Sequence, residues 1–165
     1  MTLIEIINIL SGRVFISYGI SPREISGLLG ILLSPFIHGS IGHYLANIIP
    51  FGLFTFLILQ QGTKKYLLVS LIGMILTGFA VWLIGSKGLH VGASGVVYSY
   101  FGFLVVNGLV SKDIKLIVIS LLVFLGYGGM VWGVLPNQLG VSWESHLFGL
   151  LTGSALGYKL KNSWC

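Results

Sequence analysis

Between Tyr66 and Ile84 the chain runs for 19 residues without a charged side chain, and between Leu116 and Leu135 for another 20. A helix rises ~1.5 Å per residue, so each run is long enough to cross a hydrocarbon core of ~30 Å. Inside such a core every backbone N–H and C=O must be satisfied by the protein itself, which leaves helices or closed barrels. The runs are continuous rather than alternating, and that argues against a barrel. Three further runs, His43 to Leu59, Gly95 to Val110 and His146 to Leu160, are apolar but carry polar groups near one end. Only 8% of the residues are charged and 55% are hydrophobic, whereas a soluble domain has about 25% charged residues. The expected fold class is therefore all-α, a polytopic membrane helical bundle.

The lysines give the bundle a direction. Lys64 and Lys65 follow the His43 run, Lys112 and Lys115 precede the Leu116 run, and Lys159 and Lys161 close the last one. The loops at the other ends hold Lys87 and Glu144. In an alternating five-crossing layout these six lysines share one side, which is expected to be cytoplasmic. The net charge of +5 then reads as an orientation signal, and no nucleic-acid partner is expected. Under this layout His43, Ser94 and His146 arrive at one depth, at the outer ends of their helices.

The first third of the chain is less regular. Glu5, Asn8 and Arg13 interrupt "MTLIEIINILSGRVFISYGI", yet Leu3, Ile6, Ile7, Leu10 and Val14 form an apolar stripe. The expectation is a helix from Leu3 to Ser17 beside the bundle, with Glu5 near the cytoplasmic face. Next, Ile25, Leu28, Leu29 and Leu32 fall on one helical face between Pro22 and Pro35, as in a segment lying on the outer membrane surface. No domain boundary is visible. Residues 1–165 read as one membrane domain, with 1–35 as N-terminal helix and interfacial segment and 36–161 as helical core. The single cysteine, Cys165, ends the sequence, so neither a disulfide framework nor a CxxC motif is expected.

Ser94 lies between Gly92 and Gly95 at the head of an apolar run. A serine there caps a helix, or else it sits where free amides and the helix dipole favour the developing charge of an acyl-transfer intermediate. His146 shares a helix face with Gly149, Gly153 and Gly157, and small residues at spacing four let helices approach closely in lipid. If the neighbour is the Ser94 helix, hydroxyl and imidazole form a nucleophile and its base. The only aspartate, Asp113, belongs to the opposite loop, so orientation of the imidazole is left to packing. Tyr98, one turn from Ser94, is either a ring for His146 to stack on or an ordinary packed aromatic. His43 and Asn47 share a face at spacing i, i+4, and both can donate hydrogen bonds to an oxyanion. Zinc held by His38, His43 and His146 is the competing idea. It lacks HExxH and any Cys or carboxylate ligand, so no metal or other cofactor is expected. His38 and His90 are expected to make polar contacts at the rim.

"HGSIGHYLAN", "GASGVVY" and "HLFGLLTGSALG", in this order within one membrane bundle, resemble the rhomboid intramembrane serine proteases. The resemblance covers roughly Gly19 to Leu160. It implies six helices, the first here short or incomplete, around a water-filled cavity open to the outer face. It also implies Ser94 as nucleophile and His146 as general base. His43, Asn47 and the Ser94 backbone amide would form the oxyanion hole, with Tyr98, Gly92, Gly95, Gly149 and Gly153 in support. Substrates would be single-span membrane proteins in the bilayer, cut in or near their transmembrane segments with a small residue before the scissile bond. The expected location is a cell membrane, of bacterial plasma-membrane type. Two other readings compete: an inactive rhomboid-like protein that binds transmembrane clients, and a small transporter relaying protons through its histidines.

Overall fold

The computed structural model describes residues 1–136 and 140–161; Cys165 lies outside the described residues. Among these the fold is helical, with one isolated backbone bridge between Ile20 and His90. The elements are α1 (Thr2–Leu10), α2 (Gly30–Leu33), α3 (Ile41–Leu59), α4 (Thr63–Ile84), α5 (Ser94–Val110), α6 (Ile114–Tyr127) and α7 (Trp143–Lys159), joined by short 3₁₀ segments. Helices α3 and α4, and the 21 residues Ile114–Val134 that contain α6, are long and apolar enough to cross a membrane. At 17 residues each, α5 and α7 are ~25 Å long.

Helix starts follow local chemistry. Ser40 caps α3 by accepting a hydrogen bond from the His43 amide at 3.0 Å. Asp113 caps α6 by accepting from the Lys115 amide at 2.8 Å. Satisfying these orphan donors fixes where each helix begins. The short turns 60–62 and 111–113 and the longer links 85–93 and 128–142 leave α3 to α7 in antiparallel order, with the lysines near the α3–α4 and α5–α6 turns and at the α7 end opposite to His43, Ser94 and His146.

Helix α5 is the central post of the bundle. Most of it is buried, with Tyr100, Phe103 and Leu104 in the core, and it packs against α3, α4, α6 and above all α7. The closeness to α7 comes from the glycine face. A Cβ on Gly149 would fall on the Gly95 carbonyl, and one on Gly153 on the Ser99 carbonyl. Without hydrophobic drive between helices in lipid, such backbone contact is what binds them.

Two expectations need correction. Leu3 to Ser17 is not one helix: α1 ends at Leu10, the chain reverses through Gly12 and Arg13, both at positive φ, and a 3₁₀ turn covers Val14–Tyr18. Nor does Glu5 approach the lysine end; it lies beside His38, at the His43 end. The physical reason is charge. In a straight helix Glu5 and Arg13 would be ~12 Å apart along the axis, whereas the reversal brings Arg13 Nη1 to 3.0 Å from Glu5 Oε1 and compensates a buried carboxylate. Second, the Leu116–Leu135 run is α-helical only to Tyr127 and continues as a 3₁₀ helix over Gly128–Val134, where Gly128, Gly129 and Gly133, after Gly126, dilute α-helix propensity. The segment after Pro22, read as interfacial, is a short apolar helical stretch over Ile25–Phe36 in which two 3₁₀ turns flank the single turn of α2. Its Ile25, Leu28, Leu29 and Leu32 all face outward.

Candidate active site

A cavity of about 1140 Å³ opens at the His43 end of the bundle. Its walls come from α3, from the loop before α5, from the head of α5, from the 3₁₀ segment after α6 and from the head of α7. His43, Asn47, Ser94, Tyr98 and His146 all line it. Residues spread over 104 positions of sequence are thus brought to one place, as the antiparallel layout requires.

Ser94 is the first residue of α5. Its amide therefore has no acceptor inside the helix, and the helix dipole points its positive end at the serine. The preceding loop turns sharply because Gly92 takes φ +114°, a conformation that L side chains rarely adopt. Gly92 also has no room for a side chain: a Cβ there would lie 2.5 Å from His43 Nε2. Gly95 is closed in from the other side, where a Cβ would meet Thr77 Cγ2 at 2.8 Å.

His146 is buried on α7 and fixed by two contacts. Its ring stacks on Tyr98, with centroids 4.1 Å apart and planes 7° from parallel. Its Nδ1 lies 2.8 Å from the carbonyl of Gly133. A carbonyl only accepts, so Nδ1 carries the proton and Nε2 is left as the basic nitrogen. Tyr98 is held in turn by donating its hydroxyl to the Met130 carbonyl at 2.8 Å. The 3₁₀ segment thus fixes both rings through backbone oxygens. Imidazole orientation is not left to packing alone. Gly133 and Met130 escape sequence reasoning because any residue has a carbonyl; the one available signal was the glycine density that breaks the helix.

On α3, Asn47 is buried and donates one amide hydrogen to the His43 carbonyl at 2.7 Å. The second hydrogen of the same NH₂ remains for another acceptor. The His43 ring packs edge-on against His38, centroids 5.2 Å apart. His38 is not a rim residue. It is fully buried, and its side-chain hydrogen-bond partners, Asn8 and Arg13, reach its backbone carbonyl, while Nδ1 lies 3.7 Å from Glu5 Oε2. His90 bonds Ser142 through Nδ1 at 2.6 Å and the Ser86 carbonyl through Nε2 at 3.0 Å. Glu144 accepts from the Ser86 amide at 2.8 Å, so it braces the α4–α5 loop rather than His146. Among the described residues no three His, Cys, Asp or Glu side chains are grouped to hold a metal ion.

A rhomboid domain profile matches residues 26–163, a stretch that includes His43, Asn47, Ser94, Tyr98 and His146. The chain belongs to the rhomboid family. Related sequences are mycobacterial. A Mycobacterium bovis protein is 37% identical over 96% of this chain and 70% of its own length. A Mycobacterium tuberculosis protein matches to the same extent, and a Mycobacterium leprae protein is 34% identical over 96% of this chain and 66% of its own. All three are described as uncharacterized. What this rhomboid does must therefore be argued from its own residues.

Proposed function

We propose that this rhomboid is an intramembrane serine endopeptidase that hydrolyses peptide bonds in or near the transmembrane segments of single-span membrane proteins. One observation carries the reading: at the cavity, an imidazole whose Nδ1 is held by a carbonyl and whose ring is clamped on Tyr98 shares a wall with a helix-opening serine. A proton relay for transport would have no use for that serine.

In this mechanism His146 Nε2 takes the Ser94 hydroxyl proton as Oγ attacks the scissile carbonyl. The tetrahedral oxyanion receives hydrogen bonds from the Ser94 amide, the free Asn47 amide hydrogen and His43. The intermediate collapses, the C–N bond breaks, and the amine leaves with the proton from His146. Water then repeats the cycle on the acyl-enzyme and releases the acid. The cavity gives that water a route to a site at membrane depth. By the positive-inside rule the lysine end is cytoplasmic, so the cavity faces outward, across what we take to be a bacterial plasma membrane.

The test is active-site labelling. Membranes carrying the chain are treated with a fluorophosphonate probe and the modified residue is mapped. Labelling at Ser94, lost in Ser94→Ala and with cleavage of a model single-span substrate lost alongside it, is expected. An unlabelled chain that still binds transmembrane peptides would place it instead with inactive, client-binding relatives.

A further inference from the structure

The N-terminal segment holds an unusual buried polar cluster. Glu5 is 3% exposed, and Asn8 and His38 are fully buried. Charged and amide side chains are rarely this deep unless they are paired. Here Asn8 and Arg13 converge on one atom, and Glu5 pairs with Arg13 while its other oxygen lies 3.7 Å from His38 Nδ1. The His38 carbonyl accepts from Arg13 Nη1 at 2.6 Å and from Asn8 Nδ2 at 3.2 Å, while Glu5 Oε1 accepts from the same Arg13 nitrogen at 3.0 Å. The reversal at Gly12 and Arg13 exists to make this possible, and it is sealed by the Arg13 amide donating to the Asn8 carbonyl at 2.6 Å. A further tie joins Thr2 Oγ1 to the Tyr44 hydroxyl at 2.9 Å.

What the cluster grips is the lead-in to α3. His38 precedes the capping residue Ser40 by two positions and His43 by five. Its ring meets the edges of both His43, at 5.2 Å, and Tyr44, at 5.5 Å. The His43 ring also lies close to Gly92. His43 therefore touches both His38 and the turn that leads into Ser94, and the N-terminal cluster sets the position of the first of these contacts.

We propose that Glu5, Asn8 and Arg13 are positioning residues that hold His38, and through it His43, at the distance from Ser94 that oxyanion stabilisation needs. This rests on the protease reading for its catalytic meaning. The mechanical claim, that the cluster sets the His43 ring, stands apart from it. An ångström of misplacement at a catalytic group can cost ~10²-fold in rate.

The test uses the full chain in lipid nanodiscs. Asn8→Ala removes one donor to the His38 carbonyl. Glu5→Gln combined with Arg13→Met removes both charges together, so that no single charge is left buried without a partner. Each is expected to lower kcat by up to ~10²-fold with KM little changed. Added to His43→Ala, each should give almost no further loss, because a residue acting through His43 has nothing left to position. Side-chain NMR of histidine-labelled protein reads the ring without turnover: the His43 resonance should shift and broaden in both variants, while His90 stays as it was. Unchanged His43 resonances, or losses that add fully to His43→Ala, would overturn the proposal. A wild-type chain that cleaves nothing, yet loses His43 order in these variants, would sink the protease reading and leave the positioning role standing.

Discussion

The imidazole of His146 lies flat on the phenol ring of Tyr98, with 4.1 Å between centroids and 7° between planes. The two rings come from different helices, α7 and α5, and the Gly133 carbonyl fixes the rotation that stacking leaves free. Packing of aromatic pairs contributes ~0.5–1.5 kcal/mol beyond area burial. Tyr98→Phe keeps the ring and loses only the bond to the Met130 carbonyl. It is expected to lower kcat only a few-fold. Tyr98→Ala removes the platform, and a fall of up to ~10-fold is expected from the same energy scale. Steady-state cleavage in detergent, with thermal unfolding alongside, separates orientation from stability. Equal rates for the two variants would show that the ring is mere filling.

Ser94→Ala and His146→Ala are each expected to abolish substrate cleavage in a folded bundle. The double variant should be no worse than either single one, because the pair acts as a unit. Additive losses would mean that the two groups serve different steps.

Asn47→Ala should lower kcat with KM nearly constant, since its free amide hydrogen is used when charge develops. Loss of one oxyanion donor costs ~10²–10³-fold, and the lower end or less is expected here because His43 and the Ser94 amide remain. A change confined to KM would assign Asn47 to substrate binding.

The glycine face of α7 offers a paired comparison. Alanine at Gly149 would press on the Gly95 carbonyl, next to Ser94, while alanine at Gly157 would press on Phe103 and Asn107 backbone, near the lysine end. Overpacking of this kind costs ~1–3 kcal/mol. Both variants should lose stability, but only Gly149→Ala should lose activity out of proportion. Matched activity losses at matched stability would remove the distinction.

Stability should also depend on pH through His38, which lies outside the membrane-spanning helices. Burial, then the charges of His43 and Arg13, lower its pKa from 6.5 to about 4; Glu5 and Tyr44 also face it. Between these values the unfolded chain binds a proton that the folded one does not, so stability is complete above pH ~6.5 and falls on acidification towards pH ~4. The span corresponds to roughly 3 kcal/mol. Denaturation midpoints measured from pH 7.5 to 4.5 should show this slope in the wild type and a shallower one in His38→Asn. Parallel curves would assign the acid sensitivity elsewhere.

The helical core was legible because charge-free runs leave a chain few options: α3, α4, α5 and α7 start within three residues of the apolar runs read from sequence. The gathering of His43, Asn47, Ser94 and His146 was legible for a related reason, since polar groups are conspicuous on helices that otherwise avoid them. Two features were not. Gly133 acts through a carbonyl that its side chain does not announce. Arg13 looked like an interruption of a helix because its partners, Glu5 and the His38 carbonyl, become neighbours only after the chain has reversed. The apolar stripe from Leu3 to Val14 outweighed Glu5, Asn8 and Arg13 in the reading of the sequence, and buried charge pairing outweighed the stripe in the fold.

The partner of His146 Nδ1 is a peptide oxygen, not a carboxylate, and this bears on where such a site can exist. A carboxylate there would be a permanent ion at bilayer depth, costing free energy in every resting molecule. A peptide dipole asks for none of that. In the proposed mechanism charge separates only when Nε2 receives the serine proton, and the imidazolium then appears together with the oxyanion, so that the new charges sum to zero. The lipid environment is asked to tolerate an ion pair for the lifetime of an intermediate rather than for the lifetime of the protein. What is surrendered is the stronger stabilisation of imidazolium that a fixed negative charge would supply, and with it some speed.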